Sequence, residues 1–406
     1  MEFQQVLALA VFAAVTLLFA TRLVPKAVAG LVGALVVALW AGFPAVLGSQ
    51  VPEALLVTAG LMVLSGSLKR SGLASWLTLL AVKASRGRPV RILWATGLLT
   101  FVLGAFVGPL AAVALVVPVA LLLAVELDVP TLPFVLVLSW TSLLGSLTVL
   151  TAHPANLWTG AVLGIDGGAW LVRMVPLTLP ALAVTLVLGS ILFRKTLRAT
   201  NERRARVLEF DEFRSLGNRA QVAKTVTVLV LVALGLGLAP VLGLSPALVV
   251  ITGAVGLLLL EGPGAVDRSL SEIDGGLLLF YAGLFAVVGA LAASGLPKWA
   301  EGSALASPLV LLWTSAGAGA LVDHGAVIGA FLPFVKAAGP HWWPVLVVGA
   351  TLGGAATVWG AVSNALALGF APAEGKAAAW KGFTLWGLVF AAVNLTVVTV
   401  LILVLP

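Results

Sequence analysis

The chain has 406 residues, of which 61% are hydrophobic and 10% charged, with a formal net charge of +7 and no cysteine. Soluble globular domains run at about 45–50% apolar and about 25% charged, so this composition excludes a soluble enzyme or regulator and predicts an all-α, polytopic membrane protein. The absence of cysteine excludes disulfides, thiolate metal sites, thiol redox chemistry and capture of a soft metalloid through sulfur.

Uncharged runs recur along the chain, each close to the roughly 20 residues a helix needs to cross the hydrocarbon core. The first, Val6 to Ala20, follows Glu2 and lacks a basic leading segment, so it reads as the first span and not as a cleaved signal peptide. Further crossings are expected near 27–48, 52–68, 131–164 and 170–193. Between them lie two shorter apolar arms, 92–106 and 109–125, which meet at Val107-Gly108-Pro109 and are expected to form a re-entrant hairpin. Two full crossings there would give the same parity. Six of the 23 Lys and Arg fall in Lys69–Arg91 with no acid among them, and nine in Arg194–Lys224 against four acids. Loops of this kind face the cytoplasm by the positive-inside rule, which places the protein in the inner (plasma) membrane and accounts for its positive charge without nucleic acid.

After the basic linker, 194–223, the pattern starts again. Ala59-Gly60-Leu61, Gly66, Leu68, Ser71-Gly72-Leu73 and Trp76 match Ala282-Gly283-Leu284, Gly289, Leu291, Ser294-Gly295-Leu296 and Trp299 at one constant offset. Gly104-Ala105 with Pro118 answers to Gly319-Ala320 with Pro333, and Gly145 with Asn156 to Gly353 with Asn364. Two tandem repeats follow, 1–193 and 224–406, the second with crossings near 225–242, 245–261, 275–296, 345–372 and 383–404 and a hairpin at 305–335. Five crossings per repeat is odd, so the repeats must be inverted, giving about ten transmembrane helices, two re-entrant hairpins and both termini outside. The segments 131–164 and 345–372 are too long for one straight span and are rich in Gly, Ser, Thr, Pro and Asn at their middles. They read as broken helices, whose freed backbone groups and helix ends build ion and substrate sites near mid-membrane.

These features resemble the ion transporter superfamily that includes arsenite-efflux permeases, NhaD-type sodium:proton antiporters, and citrate and dicarboxylate carriers. Leu278-Leu-Phe-Tyr-Ala-Gly-Leu-Phe-Ala-Val-Val-Gly-Ala-Leu291 is similar to the segment before the second hairpin of arsenite-permease and NhaD-like members, and Gly145, Ser146, Pro154 and Asn156 match the family's pattern in the broken helix. The resemblance implies a secondary transporter working by alternating access. Three departures stand out: the first tip carries no polar side chain, His153 precedes Pro154 where a small polar residue is usual, and Val149-Leu150 replace Thr-Pro. They argue against a sodium site in the first repeat.

Asp323 is the one acidic residue in the uncharged run from Gly302 to Val335. A carboxylate at that depth is costly unless protonated, paired or hydrated, so Asp323 is the candidate proton carrier. His324 beside it and His153 are candidates for substrate or proton contact, and Asn156, Ser363 and Asn364 for substrate or ion binding. For the asparagines the competing reading is hydrogen bonding between helices. Thr148, Thr151 and Thr357 read as hydroxyls satisfied within their helices, and Trp342-Trp343 as an interfacial anchor. A metal site from His153, Asp323 and His324 has no local ligand spacing to recommend it. No Gly-Lys-Ser/Thr follows any Gly-rich turn, and no His-Glu-x-x-His is present, so neither ATP-driven machinery nor a membrane hydrolase is predicted. Proton-coupled efflux of a small inorganic oxyacid such as arsenite ranks first, with no cofactor beyond a coupling proton or sodium. A sodium:proton antiporter ranks second and a dicarboxylate or citrate carrier third. A non-transporting descendant, and a homodimeric assembly, stay open.

Overall fold

The computed structural model describes residues 3–21, 24–41, 51–295, 307–371 and 376–404, and among these the chain is helical with no strand. Residues 42–48 of the expected second span, Leu296 and Trp299 of the repeat, 305–306 of the second hairpin and 372 of the second broken helix lie outside the described residues. The first half opens with α1 (Phe3–Thr21), α2 (Lys26–Ala41) and α3 (Val51–Ser71), followed by α4 (Leu73–Ala84). A hairpin of α5 (Pro89–Val107) and α6 (Pro109–Glu126) comes next. The broken helix is α7 (Leu132–Thr148) and α8 (Pro154–Leu163), and α9 (Gly167–Phe193) closes the half. The linker carries the short α10 (Asn201–Leu208).

The second half repeats the long elements in this order, with its short helix placed one element earlier. It has α11 (Arg219–Leu242), α12 (Pro246–Glu261), a short α13 (Pro263–Leu270) and α14 (Gly275–Ala293). The hairpin is α15 (Pro308–Leu321) and α16 (His324–Ala338), the broken helix α17 (Trp343–Ala356) and α18 (Val362–Gly369), and α19 (Lys376–Val404) ends the chain. Among the described residues six helices, including both arms of the first hairpin, are long and apolar enough to cross a bilayer by length and composition.

The two basic loops lie on one face of the molecule. Gly217 N–H donates to Ser71 O at 3.0 Å, Arg203 pairs with Asp128 at 3.1 Å, and Lys83 pairs with Glu212. Because Arg88 and Asp128 flank the outer ends of α5 and α6, that hairpin enters from the basic face and returns to it. Its arms are longer than the sequence suggests, yet the tip ends against the break of α7 and α8, with Ala152 O 3.0 Å from where a Cβ on Gly108 would stand. The second hairpin enters from the opposite face: Lys336, in the last turn of α16, reaches Val162 O at the far end of α8 (3.2 Å). The two hairpins therefore point toward each other.

One departure concerns 69–91, where the sequence reading sees a basic loop and the structure has α4. Charge drew attention away from a helical stripe, Ala74, Thr78 and Val82, whose four-residue spacing buries one side.

Glycines set the packing of each hairpin on its broken helix. A Cβ on Gly104 would stand 2.3 Å from Ser142 O, and one on Gly145 2.0 Å from Phe101 O. In the second half a Cβ on Gly319 would stand 2.2 Å from Ala350 O, and one on Gly353 1.9 Å from Ala316 O. Only backbone-to-backbone approach fits here, the small-residue packing that membrane helices use where burial from water supplies no drive. The halves also interlock: α14 packs on α2, α12 on α3, α16 on α8 and α18 on α6. Trp170 of α9 stacks on Trp343 of α17 with ring centroids 4.4 Å apart.

Candidate functional site

Both hairpin tips, the first helix break and the start of α18 meet around one cavity of about 240 Å³. Pro109 and Pro154 start their helices where a missing N–H costs nothing, which lets the chain turn sharply at the first tip and the first break. At the first tip Gly108 has φ +86°, a conformation suited to glycine, so Val107-Gly108-Pro109 presents backbone and no polar side chain. At the second tip Asp323 caps α16: its Oδ1 accepts from Gly325 N–H at 3.0 Å, while Oδ2 is buried with no partner. This tip is tied to the second break. His324 N–H donates to Gly360 O at 3.0 Å, His324 Nδ1 lies 3.1 Å from the same oxygen, and Thr357 Oγ1 donates to Ala320 O at 2.7 Å.

His153, in the first break, comes from the other half and meets the second tip. Its ring centroid is 4.7 Å from that of His324. Its Nδ1 caps α8 by accepting from Ala155 N–H at 3.2 Å, and its Nε2 lies 3.2 Å from the Tyr281 hydroxyl. Asp323, His324, His153 and Ser363 thus line the cavity together, all of them buried, and Ser363 Oγ has no partner.

Asn156 and Asn364 are buried but are not among the lining residues. Asn156 Nδ2 donates to Ser146 O at 2.8 Å and reaches Val149 O at 3.4 Å; Asn364 Nδ2 donates to Gly354 O at 3.0 Å and Thr357 O at 2.7 Å. Each amide satisfies carbonyls that the break releases. Thr148 bonds Leu144 O within its own helix, as expected, but Thr357 does not stay within its helix. Ending α17 frees its hydroxyl to bridge Ala320 O and Gly360 N–H.

Tyr281 is the residue the sequence reading passed over. It is the only tyrosine in the chain, and a lone phenol in an otherwise apolar helix was the available signal. Thr151, Glu272 and Asp274 also line the cavity. Glu272 and Asp274 mark its mouth at the basic face, where they pair with Lys69 (3.3 Å) and Lys26 (3.0 Å). Burial pulls the Asp274 carboxyl upward, but the Leu277 N–H and Lys26 outweigh it and hold the group below the usual carboxylate range. A second crevice, of about 630 Å³, lies on the other side of the first break, between α8, the end of α5 and α11. Thr151 lines both spaces.

Residues 10–348 match the model of the citrate transporter family, CitMHS. The chain belongs to that family. An uncharacterized transporter of Mycobacterium tuberculosis (strain H37Rv) is 28% identical over 369 residues, covering 86% of this chain and 85% of the relative. The magnetosome protein MamN of Magnetospirillum gryphiswaldense is 24% identical over 387 residues, covering 87% of each chain. The Alcanivorax borkumensis YdaH transporter, whose crystal structure reveals an unusual topology, aligns over 99% of this chain and 98% of its own with a TM-score of 0.56. At 17% identity that likeness shows the fold. The protein is thus a multi-pass membrane transporter of the citrate transporter family; the match does not extend to the arsenite-permease and NhaD-type members that the sequence reading ranks first.

Proposed function

We propose that the chain is a proton-coupled secondary transporter of a small, uncharged, hydroxylated solute, an inorganic oxyacid of the arsenite type, working by alternating access. One observation carries the reading. Asp323, whose Oδ2 is buried without a partner, lines the cavity beside two histidines, and among the described lining residues there is no Lys or Arg. A free multivalent anion would meet the Asp323 carboxyl with no Lys or Arg beside it, since Lys26 and Lys69 are engaged by Asp274 and Glu272 at the mouth, whereas an uncharged oxyacid offers hydroxyl donors to the carboxylate. Asp323 is the proposed proton carrier, since its charge is the one at depth without an ion-pair partner. Thr151, between a cavity open to one face and a crevice open to the other, supports a thin barrier at the first break.

A sodium:proton antiporter is the second reading, because the same carboxylate oxygen can bind a cation. Citrate or a dicarboxylate is the third. Membership of the citrate transporter family supports it, although the first N–H groups of α8 and α16 are already engaged by His153, Asp323 and Gly360 O. The basic face is proposed to be cytoplasmic, and a homodimer is a proposed assembly. Flux of arsenite, sodium, phosphate, dicarboxylates and citrate into proteoliposomes under an imposed pH gradient tests the ranking. Gradient-driven arsenite flux is the expected result. Sodium or citrate moving instead transfers the conclusion to that reading, and no movement above empty liposomes leaves a non-transporting descendant.

A further inference from the structure

Backbone groups of fixed hydrogen-bond sense assign a tautomer to each of the two site histidines. Ala155 N–H can only donate, so His153 Nδ1, 3.2 Å away, is an acceptor and the ring proton sits on Nε2. That Nε2–H points its hydrogen bond at the Tyr281 oxygen, 3.2 Å away, so the phenolic proton is not spent on His153. Gly360 O can only accept, so in the neutral ring His324 Nδ1, 3.1 Å away, carries the proton and Nε2 the lone pair. Two rings with centroids 4.7 Å apart hold their protons on opposite nitrogens.

The Tyr281 ring is also held by its surroundings. It packs on Phe285 with centroids 5.8 Å apart, Phe285 in turn stacks on Trp158 at 5.4 Å, and His153 meets the phenol edge-on at 5.8 Å. Tyr281, Asp323 and Ser363 line the same cavity, where Asp323 Oδ2 and Ser363 Oγ have no partner in the protein.

We propose that these contacts give the cavity a fixed hydrogen-bond polarity: the Tyr281 hydroxyl donates to the transported solute beside the Asp323 carboxylate, which accepts from it, and His153 is the positioning residue that holds the phenol in that sense. The proposal rests on the reading of this cavity as the substrate site. A solute bearing both a hydroxyl and an acceptor oxygen satisfies both groups at once. Deprotonation removes one hydroxyl donor and sets a negative charge against Asp323, so the pair selects the uncharged form.

The test uses the purified full-length protein and Tyr281→Phe, which removes only the hydroxyl. The chain has three histidines, so ¹⁵N-histidine labelling, with His341→Gln to assign the third, reads the ring protons directly. At neutral pH the expected spectrum has Nε2–H on His153 and Nδ1–H on His324, and Tyr281→Phe shifts the His153 Nε2 resonance while leaving His324 in place. In proteoliposomes with arsenous acid as the probe, Tyr281→Phe is expected to raise the half-saturating concentration about fivefold, the loss of one neutral hydrogen bond, with the maximal rate little changed. A proton on His153 Nδ1 overturns the proposal, as does an unchanged half-saturating concentration in a protein that transports the probe. Wild-type vesicles that move no arsenous acid would sink the substrate reading alone. The tautomers, read without substrate, would still decide the polarity: Nε2–H on His153 with Nδ1–H on His324 upholds it, and any other arrangement refutes it.

Discussion

The two hairpin tips occupy corresponding places in the two halves, and they differ in almost everything but shape. Val107-Gly108-Pro109 turns on a glycine in the left-handed region and offers backbone alone; Val322-Asp323-His324 turns on a capping carboxylate and is stapled to the second break by three hydrogen bonds. The breaks are unequal in the opposite sense. The first carries His153 into the cavity, and the second supplies the carbonyl and hydroxyl that hold the second tip. Packing is therefore shared between the halves while chemistry gathers where the second tip meets the first break. A duplicated frame does not require a duplicated site.

The largest effect that can break this comparison is at the second tip. Asp323→Asn keeps size and the cap to Gly325 N–H but cannot change charge, so pH-driven flux in proteoliposomes should fall to that of empty vesicles with thermal unfolding close to wild type. At the first tip Val107→Thr should leave the dependence on the pH gradient intact. Equal losses at the two tips would mean that the chemistry is shared after all.

Packing should behave the other way, with matched costs in both halves. Gly145→Ala places a Cβ 2.0 Å from Phe101 O and Gly353→Ala places one 1.9 Å from Ala316 O. Neither obstacle is a flexible side chain, so each helix pair must separate, at a cost of about 1–3 kcal/mol. Thermal unfolding in detergent should show two similar drops. A drop confined to one half would mean that only that hairpin depends on backbone contact.

The asparagines sharpen the comparison further. Asn364 Nδ2 has close bonds to Gly354 O and Thr357 O, against one close and one long bond for Asn156. Leaving a buried carbonyl without a donor costs about 1–3 kcal/mol, so Asn364→Ala should destabilise more than Asn156→Ala. The reverse order in thermal unfolding would place the greater strain in the first break.

These residues also mark where sequence reasoning stops. Hairpins, breaks and the repeat were legible because glycine, proline and charge have local meanings, and Asp323 stood out because a lone acid in an apolar run is costly wherever it ends up. Asn156 and Asn364 were legible as paired positions but not as to role: serving a solute and serving a freed carbonyl call for the same amide, and only distance separates them. Tyr281 acquires its place through His153, 128 residues away in the chain. No spacing rule reaches that far.

The smallest effect lies outside the membrane, in the linker, whose ion pairs among the described residues reach into the first half through Lys83–Glu212 and Arg203–Asp128. The hydrogen bond from Lys83 is the main influence holding the Glu212 carboxyl below its usual value of 4.5. A carboxyl depressed in the folded state adds stability that is fully present above the unfolded value and is lost as pH falls through the folded one. Wild type should therefore lose thermal stability on acidification below about pH 4.5 more steeply than Glu212→Gln, with the two converging at the acid end. Because the Lys83 side chain is partly exposed, the difference should be modest and should shrink as salt is raised. Superimposable acid slopes for wild type and Glu212→Gln, measured at low ionic strength, would show that the linker rests on the first half without being clamped to it by this pair.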